Sequence, residues 1–132
     1  MKSLQVVVLE RDICSRAQLV QRLGNLGVDG VGDTGDAREA IRLCVDRFAD
    51  LLLCSLPVEP ADYMELLRHV AALNPKPAVA FHGAVTDIDQ IETLCLNLGL
   101  RYLGLLTPPI GHTRLQRMIG QLQTIHAKGQ RS

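Results

Sequence analysis

Four short apolar runs set the terms for this chain: LQVVVLE (4–10), DLLLCSLP (50–57), AVAFHG (78–83) and YLGLL (102–106). A run that stays apolar at consecutive positions suits a strand buried on both faces, as in a parallel sheet covered by helices. Parallel neighbours need long crossovers, and helical stripes fill the gaps between the runs. CSRAQLVQRLGNLG aligns Ala17, Leu19, Val20, Leu23 and Leu26 on one face, with Gly27 past its end. AREAIRLCVDRF opens on a capping-box-like Asp36 and Glu39, and places Ala40, Ile41, Cys44 and Phe48 together. DYMELLRHVAAL opens at Asp62 with Glu65 three residues on. TDIDQIETLCLNLG turns Ile88, Ile91, Leu94, Cys95 and Leu98 inward, and HTRLQRMIGQLQTIH does the same with Leu115, Met118, Ile119, Leu122 and Ile125. A shorter strand is expected over VDGVG (28–32), and the glycine-rich GVGDTG (30–35) reads as a turn. Five strands alternating with five helices specify an α/β fold in three layers, a parallel sheet between two layers of helices. Residues 1–126 make one domain, and 127–132 a polar tail or the start of a linker.

At 132 residues, such a domain buries roughly two-thirds of its unfolded surface in one core. Fourteen basic residues balance fourteen acidic ones, which argues against a nucleic-acid partner held by its phosphates and against an anionic membrane surface. Two Tyr, two Phe and no Trp offer no base-stacking platform. The apolar run near the N-terminus closes at Glu10, Arg11 and Asp12, too soon for a signal sequence or a membrane span. Of the four cysteines, none forms a CxxC pair, and Cys44, Cys54 and Cys95 lie inside apolar runs. Reduced thiols and a cytoplasmic setting follow as expectations.

In parallel sheets, chemistry gathers at the carboxyl ends of the strands. Those ends are Glu10 to Cys14, Ser55 to Glu59, His82 to Ala84, and Thr107 to Pro109. No GxGxxG follows the first strand and no GxxxxGK[ST] occurs, so the common phosphate cradles are absent from the sequence. A magnesium site wants several oxygens, and Glu10 followed by Arg11 offers one carboxylate with a competing cation. Ser55 and His82 raise a nucleophile-and-base reading, but LCSLP is no GxSxG elbow. A small polar residue at a strand end and a hydrogen-bonded imidazole at a sheet edge are the readings favoured for the two. His69, His112 and His126 fall elsewhere, so neither a metal nor a cofactor is expected.

Residues 4–125 resemble a response-regulator receiver domain of the CheY-like family, and LNLGLRYLGLLTPPI (96–110) is similar to the lGlxxLGxLxKPh segment of receivers that precede EAL domains, the phosphodiesterases of cyclic di-GMP. The resemblance implies a flavodoxin-like (βα)5 fold with strand order 2-1-3-4-5 and an aspartyl-phosphate site at the strand ends. It also implies that nearly every catalytic position has changed. The acidic pair falls on Glu10 and Arg11, the phosphoacceptor aspartate on Ser55, the hydroxyl residue ending strand four on His82, and the small residue after it on Gly83. The lysine falls on Pro108, with its following proline kept as Pro109, and the aromatic switch position falls on Leu105. Asp62 matches the acid that opens helix three. Phosphoryl transfer to aspartate needs the carboxylate, a divalent cation and the lysine together. Arg11 is a candidate to pair with Glu10 or Asp12 and supply fixed positive charge in place of the ion.

The expectation is therefore a degenerate receiver, not an enzyme, that acts in bacterial signal transduction as a protein-interaction module without phosphorylation, in the orbit of cyclic di-GMP. Its implied partners are an output domain, an EAL-type regulator or a histidine kinase, with homodimerisation as a further use of the face made by helix four, strand five and helix five. Arg101, Tyr102, Arg114 and Arg117 are the exposed candidates on that face. A second reading is a small-ligand or redox sensor at the emptied strand ends, using Arg11, His82 and a thiolate at Cys14. A third retains an enzyme, acting through Ser55 or passing phosphoryl groups through Asp12 or Asp62.

Overall fold

Val6, Val7 and Val8 in β1 (Gln5–Leu9) and Leu51, Leu52 and Leu53 in β3 (Leu51–Ser55) are all fully buried. Successive side chains of a strand point to opposite faces, so burial at three in a row demands cover on both sides. The structure, a computed structural model that describes residues 4–55, 60–83, 88–108 and 110–130, supplies that cover. α1 (Ile13–Asn25), β2 (Gly30–Thr34), α2 (Ala37–Arg47), α3 (Pro60–Ala71), β4 (Ala78–His82), α4 (Ile88–Asn97), β5 (Tyr102–Leu106) and α5 (His112–Gln130) complete the alternation. The strands form one parallel sheet in the order β2-β1-β3-β4-β5. Val6, Val8 and Leu53 pack with Leu23 of α1 and Leu115 and Leu122 of α5. Val7, Leu52 and Phe81 pack on the opposite face with Cys44 of α2, Leu67 of α3 and Ile91 of α4. Each such fully buried aliphatic or aromatic side chain contributes about 1.5–3 kcal/mol relative to exposure, so the two cores hold the layers together.

Four local details differ from the sequence expectation. GVGDT is the second strand itself, not a turn, and β2 lies two residues beyond 28–32. Its glycines admit close neighbours: a Cβ on Gly30 would strike the Gln5 side chain, and one on Gly32 would lie 2.9 Å from Arg47 Nε. Phe48 is not a core residue. It terminates α2 in the left-handed region (φ 51°), which swings its ring outward to 59% exposure and leaves the buried place to Ala49. α3 begins at Pro60, two residues before Asp62, because a proline's fixed φ suits the first helical position; the Asp62 side chain lies outside the described residues. α5 runs on to Gln130, past the expected boundary at 126.

Asp36 does cap α2, accepting from Glu39 N–H at 3.3 Å. Glu39 does not reach back directly. Buried Thr34 relays the bond, its hydroxyl accepting from Asp36 N–H at 3.1 Å and donating to Glu39 Oε2 at 3.0 Å. In β5 the register slips opposite Val79 and Ala80, so that Val79 faces Tyr102 while Ala80 faces Gly104. This bulge reverses the alternation. Tyr102 and Leu105, three residues apart, pack on the same face, and Leu103 and Leu106 on the other. Gly104 accommodates it with φ +121°, a conformation that side chains with a Cβ rarely adopt.

Candidate functional site

The sheet order brings the carboxyl ends of β1, β3 and β4 side by side, with β3 in the middle. Ser55 and His82 are register partners, and Leu9 pairs with Cys54, so Glu10 follows at the level of Ser55. Glu10 is fixed at both carboxylate oxygens. Oε1 accepts from Asp12 N–H at 2.9 Å, and Oε2 stands 3.4 Å from His82 Nε2. Both side chains are nearly buried, 12% exposed for Glu10 and 7% for His82. The pair therefore spans the end of β3 where Ser55 stands. The separation suits electrostatic attraction, but His82 Nε2 makes no hydrogen bond. Burial lowers the His82 pKa below its ordinary 6.5, with the Glu10 carboxylate opposing that shift. Burial thus favours the uncharged form of the imidazole in this contact.

The receiver-like position invites a test for magnesium. The ion prefers six oxygens in near-octahedral array, with one or two carboxylates among them. Glu10 has one oxygen bonded to Asp12 N–H and the other turned to His82, and Asp12 spends a carboxylate oxygen capping α1, where Ser15 N–H donates at 2.9 Å. That bond holds the Asp12 carboxyl below its usual range. No group of three metal-competent side chains occurs among the described residues. The donor set does not fit the ion. Nor does Arg11 replace it: Arg11 is exposed and, among the described residues, pairs with neither Glu10 nor Asp12.

At the last strand end, Pro108 is exposed and carries no cation, and Pro109 lies outside the described residues. Leu105 is half-buried against the core beside α4. Its carbonyl accepts from Arg114 Nη2 at 3.0 Å, and Arg114 Nη1 donates to Thr107 Oγ1 at 3.2 Å. Arg22 of α1 donates to the Ile110 carbonyl. Two guanidiniums thus hold the β5–α5 corner. Gly83, after His82, is buried with φ +136°.

The four residues expected on an interaction face are not alike. Arg117 is exposed on α5, and Arg114 is exposed but tied to the corner just described. Arg101 stands at the amino end of β5, on the far side of the sheet from Pro108. Tyr102 turns inward: its ring lies 6.3 Å from that of Phe81, its hydroxyl is buried without a hydrogen bond, and burial raises its pKa to about 12. Register explains the difference, since Tyr102 pairs with buried Val79 and packs in the same core.

A cavity does open beside the strand ends, but with other walls than Arg11, Cys14 and His82 together. A cavity of about 610 Å³ opens between α2 and α3, and its walls include Arg11 and Ser55 but neither Cys14 nor His82. His82 is enclosed with Glu10, and Cys14 is exposed on α1. The other three cysteines are buried, and desolvation pushes the Cys44 thiol to about 12, that of Cys95 to about 11, and that of Cys54 up as well. They are core residues. His69, which the sequence reading placed away from the strand ends, lines the cavity too, as do Arg38 and Tyr63, which were not singled out from the sequence. Their helices carried readable stripes, but which helix flanks which strand end depends on sheet order.

Among solved structures, the N-terminal domain of an uncharacterized Wolinella succinogenes protein superposes with a TM-score of 0.79 at 22% identity, covering 96% of this chain and 99% of that one. The signal receiver domain of an HD domain-containing protein from Pseudomonas fluorescens gives 0.79 at 20% identity, covering 100% and 96%. That of a modulated diguanylate cyclase from Desulfovibrio desulfuricans gives 0.75 at 23%, covering 99% and 100%. No family model matches the sequence. A glucose-1-phosphate adenylyltransferase from Pectobacterium carotovorum is 40% identical over 52 residues, and the match spans 39% of this chain and 12% of that enzyme. So short a shared stretch carries no activity across. Sheet order, helix layers and near-complete superposition agree: this chain has the fold of the CheY-like signal receiver domains of response regulators.

Proposed function

We propose that this chain is a degenerate receiver, a protein-interaction module of bacterial signal transduction that works without aspartyl phosphorylation and is not itself an enzyme. The observation that carries this reading is the Glu10–His82 pair, 3.4 Å apart and nearly buried, closing over a strand end that presents a serine. Where a receiver collects a nucleophilic carboxylate, a divalent cation and a lysine, this site has a hydroxyl, an imidazole and a proline. The Ser55 hydroxyl has no described base, and nothing at Pro108 neutralises a transferring phosphoryl group. Residues 1–126 act as the unit, in the cytoplasm, with the last turn of α5, to Gln130, leading into a linker start. Its partner is an output domain, an EAL-type regulator or a histidine kinase, engaged through α4, β5 and α5, where Arg117 is the most available of the named candidates. The same face would serve a homodimer. A link to cyclic di-GMP is supported by the 96–110 segment and by the solved receiver of a diguanylate cyclase.

Incubation with acetyl phosphate and Mg²⁺, followed by intact mass, tests the proposal. The expected result is an unmodified chain for the native protein and for Ser55→Asp alike, because one carboxylate restores neither the cation site nor the lysine. A stoichiometric gain of about 80 Da, the mass of one phosphoryl group, on the native protein overturns it.

A further inference from the structure

The cavity between α2 and α3 has a floor and a rim of different chemistry. Leu9, Ile41 and Tyr63 are half-buried and present apolar surface, backed by Leu66, Cys54 and Phe81 from the core. Its volume, about 610 Å³, falls within the range that encloses a small organic ligand. Arg11 and Arg38 stand on the β1–α2 side, both exposed and, among the described residues, in no ion pair. Of the two acids at the rim, Asp36 has its carboxylate bound by Glu39 N–H at the positive end of α2, and Glu65 sits across the opening on α3. The β1–α2 wall is therefore the cationic one, and the apolar floor runs beneath it.

We propose that this cavity binds a small amphipathic organic anion, its apolar body on Leu9, Ile41 and Tyr63 and its anionic group between Arg11 and Arg38. This goes beyond the interaction module proposed above, since it adds a ligand at a site next to Ser55 that needs no phosphoryl chemistry. A planar carboxylate, sulfonate or phosphate matches a guanidinium fork, and partial enclosure strengthens that contact relative to open water. A neutral molecule of the same shape gains only the floor.

Two fluorescent probes separate these contributions: 1-anilinonaphthalene-8-sulfonate, and uncharged N-phenyl-1-naphthylamine, which has the same aromatic body without the sulfonate. The native chain is expected to bind the sulfonate about tenfold more tightly. The Arg11→Ala, Arg38→Ala double variant loses that advantage and leaves the uncharged probe within about twofold, while Glu65→Gln tightens only the sulfonate. Both arginines are exposed, so circular dichroism and the urea midpoint serve as folding checks. Amide NMR shifts on titration are expected at Gly35, Ser55 and Tyr63. Equal affinity for the two probes, an unchanged preference in the double variant, or shifts centred elsewhere overturns the proposal. None of these readouts depends on whether acetyl phosphate modifies the chain, so the two proposals fail separately.

Discussion

Gly104→Ala isolates what the β5 bulge asks of the backbone. At φ +121° the residue occupies a region where an L side chain is strained, yet a Cβ there meets no atom within 4 Å. The cost is thus conformational, with no packing clash. Holding a residue with a Cβ in so sparsely populated a region costs about 1–3 kcal/mol. Alanine's narrower unfolded ensemble offsets about 0.4–1 kcal/mol of that, leaving a net loss of about 1.3 kcal/mol at mid-range and at most about 2.6 kcal/mol. Unfolding entropy of about 2.1 cal/mol/K per residue, taken over the chain, turns this into a fall of roughly 5 °C in Tm at mid-range and at most about 9 °C. Gly24 in α1 and Gly120 in α5 provide the control, since a Cβ on either also meets nothing within 4 Å and neither has a positive φ. Alanine at each should stabilise by about 0.5–1 kcal/mol, the usual helix preference over glycine. Thermal and urea unfolding of the three variants therefore read one chemical change with opposite signs. A Gly104→Ala chain as stable as the native one, beside helical variants that behave as expected, refutes the bulge as the reason for this glycine.

Two further perturbations probe the buried ionisable groups. Because burial depresses the His82 pKa, the unfolded chain takes up a proton before the folded one does as pH falls, so the stability present above about pH 6.5 declines as acidification passes through the lowered folded pKa. Urea midpoints between about pH 7.5 and 5 should show this loss, and His82→Gln should flatten it; an unchanged slope in that variant removes His82 as its source. Titration of the folded chain with a thiol reagent should modify exposed Cys14 quickly, and Cys44, Cys54 and Cys95 only on unfolding. Rapid modification of all four would contradict their placement in the core.

Much of the fold was written locally. Consecutive apolar residues such as Val6 to Val8 state that both faces of a strand are covered, and the 3.6-residue stripes of Leu19 and Leu23 or Leu115 and Leu122 state which helix face is buried. β2 was legible as a strand but placed two residues early, because it is an edge strand made largely of glycine, threonine and aspartate, with one neighbour and no apolar run to mark its end. Asp33 there pairs with Arg16 of α1 at 3.3 Å, a partner that no local pattern names. Phe48 escaped because helical periodicity was carried one residue past the point where a left-handed turn ends α2.

The sequence alone determined the α/β alternation and the residue types at the strand ends. Only the tertiary structure decided who meets whom. Glu10 and His82 lie 72 positions apart and touch because β1 and β4 flank β3. Tyr102 and Leu105, three residues apart, share a face because a one-residue bulge reverses the parity of β5 between them. Arg11 faces a cavity shared with α2 and α3 instead of a carboxylate beside it in the chain. Periodicity records whether a side chain is buried, since burial repeats with the local helix or strand. Partnership is set by strand order and register, which depend on the packing of the whole sheet.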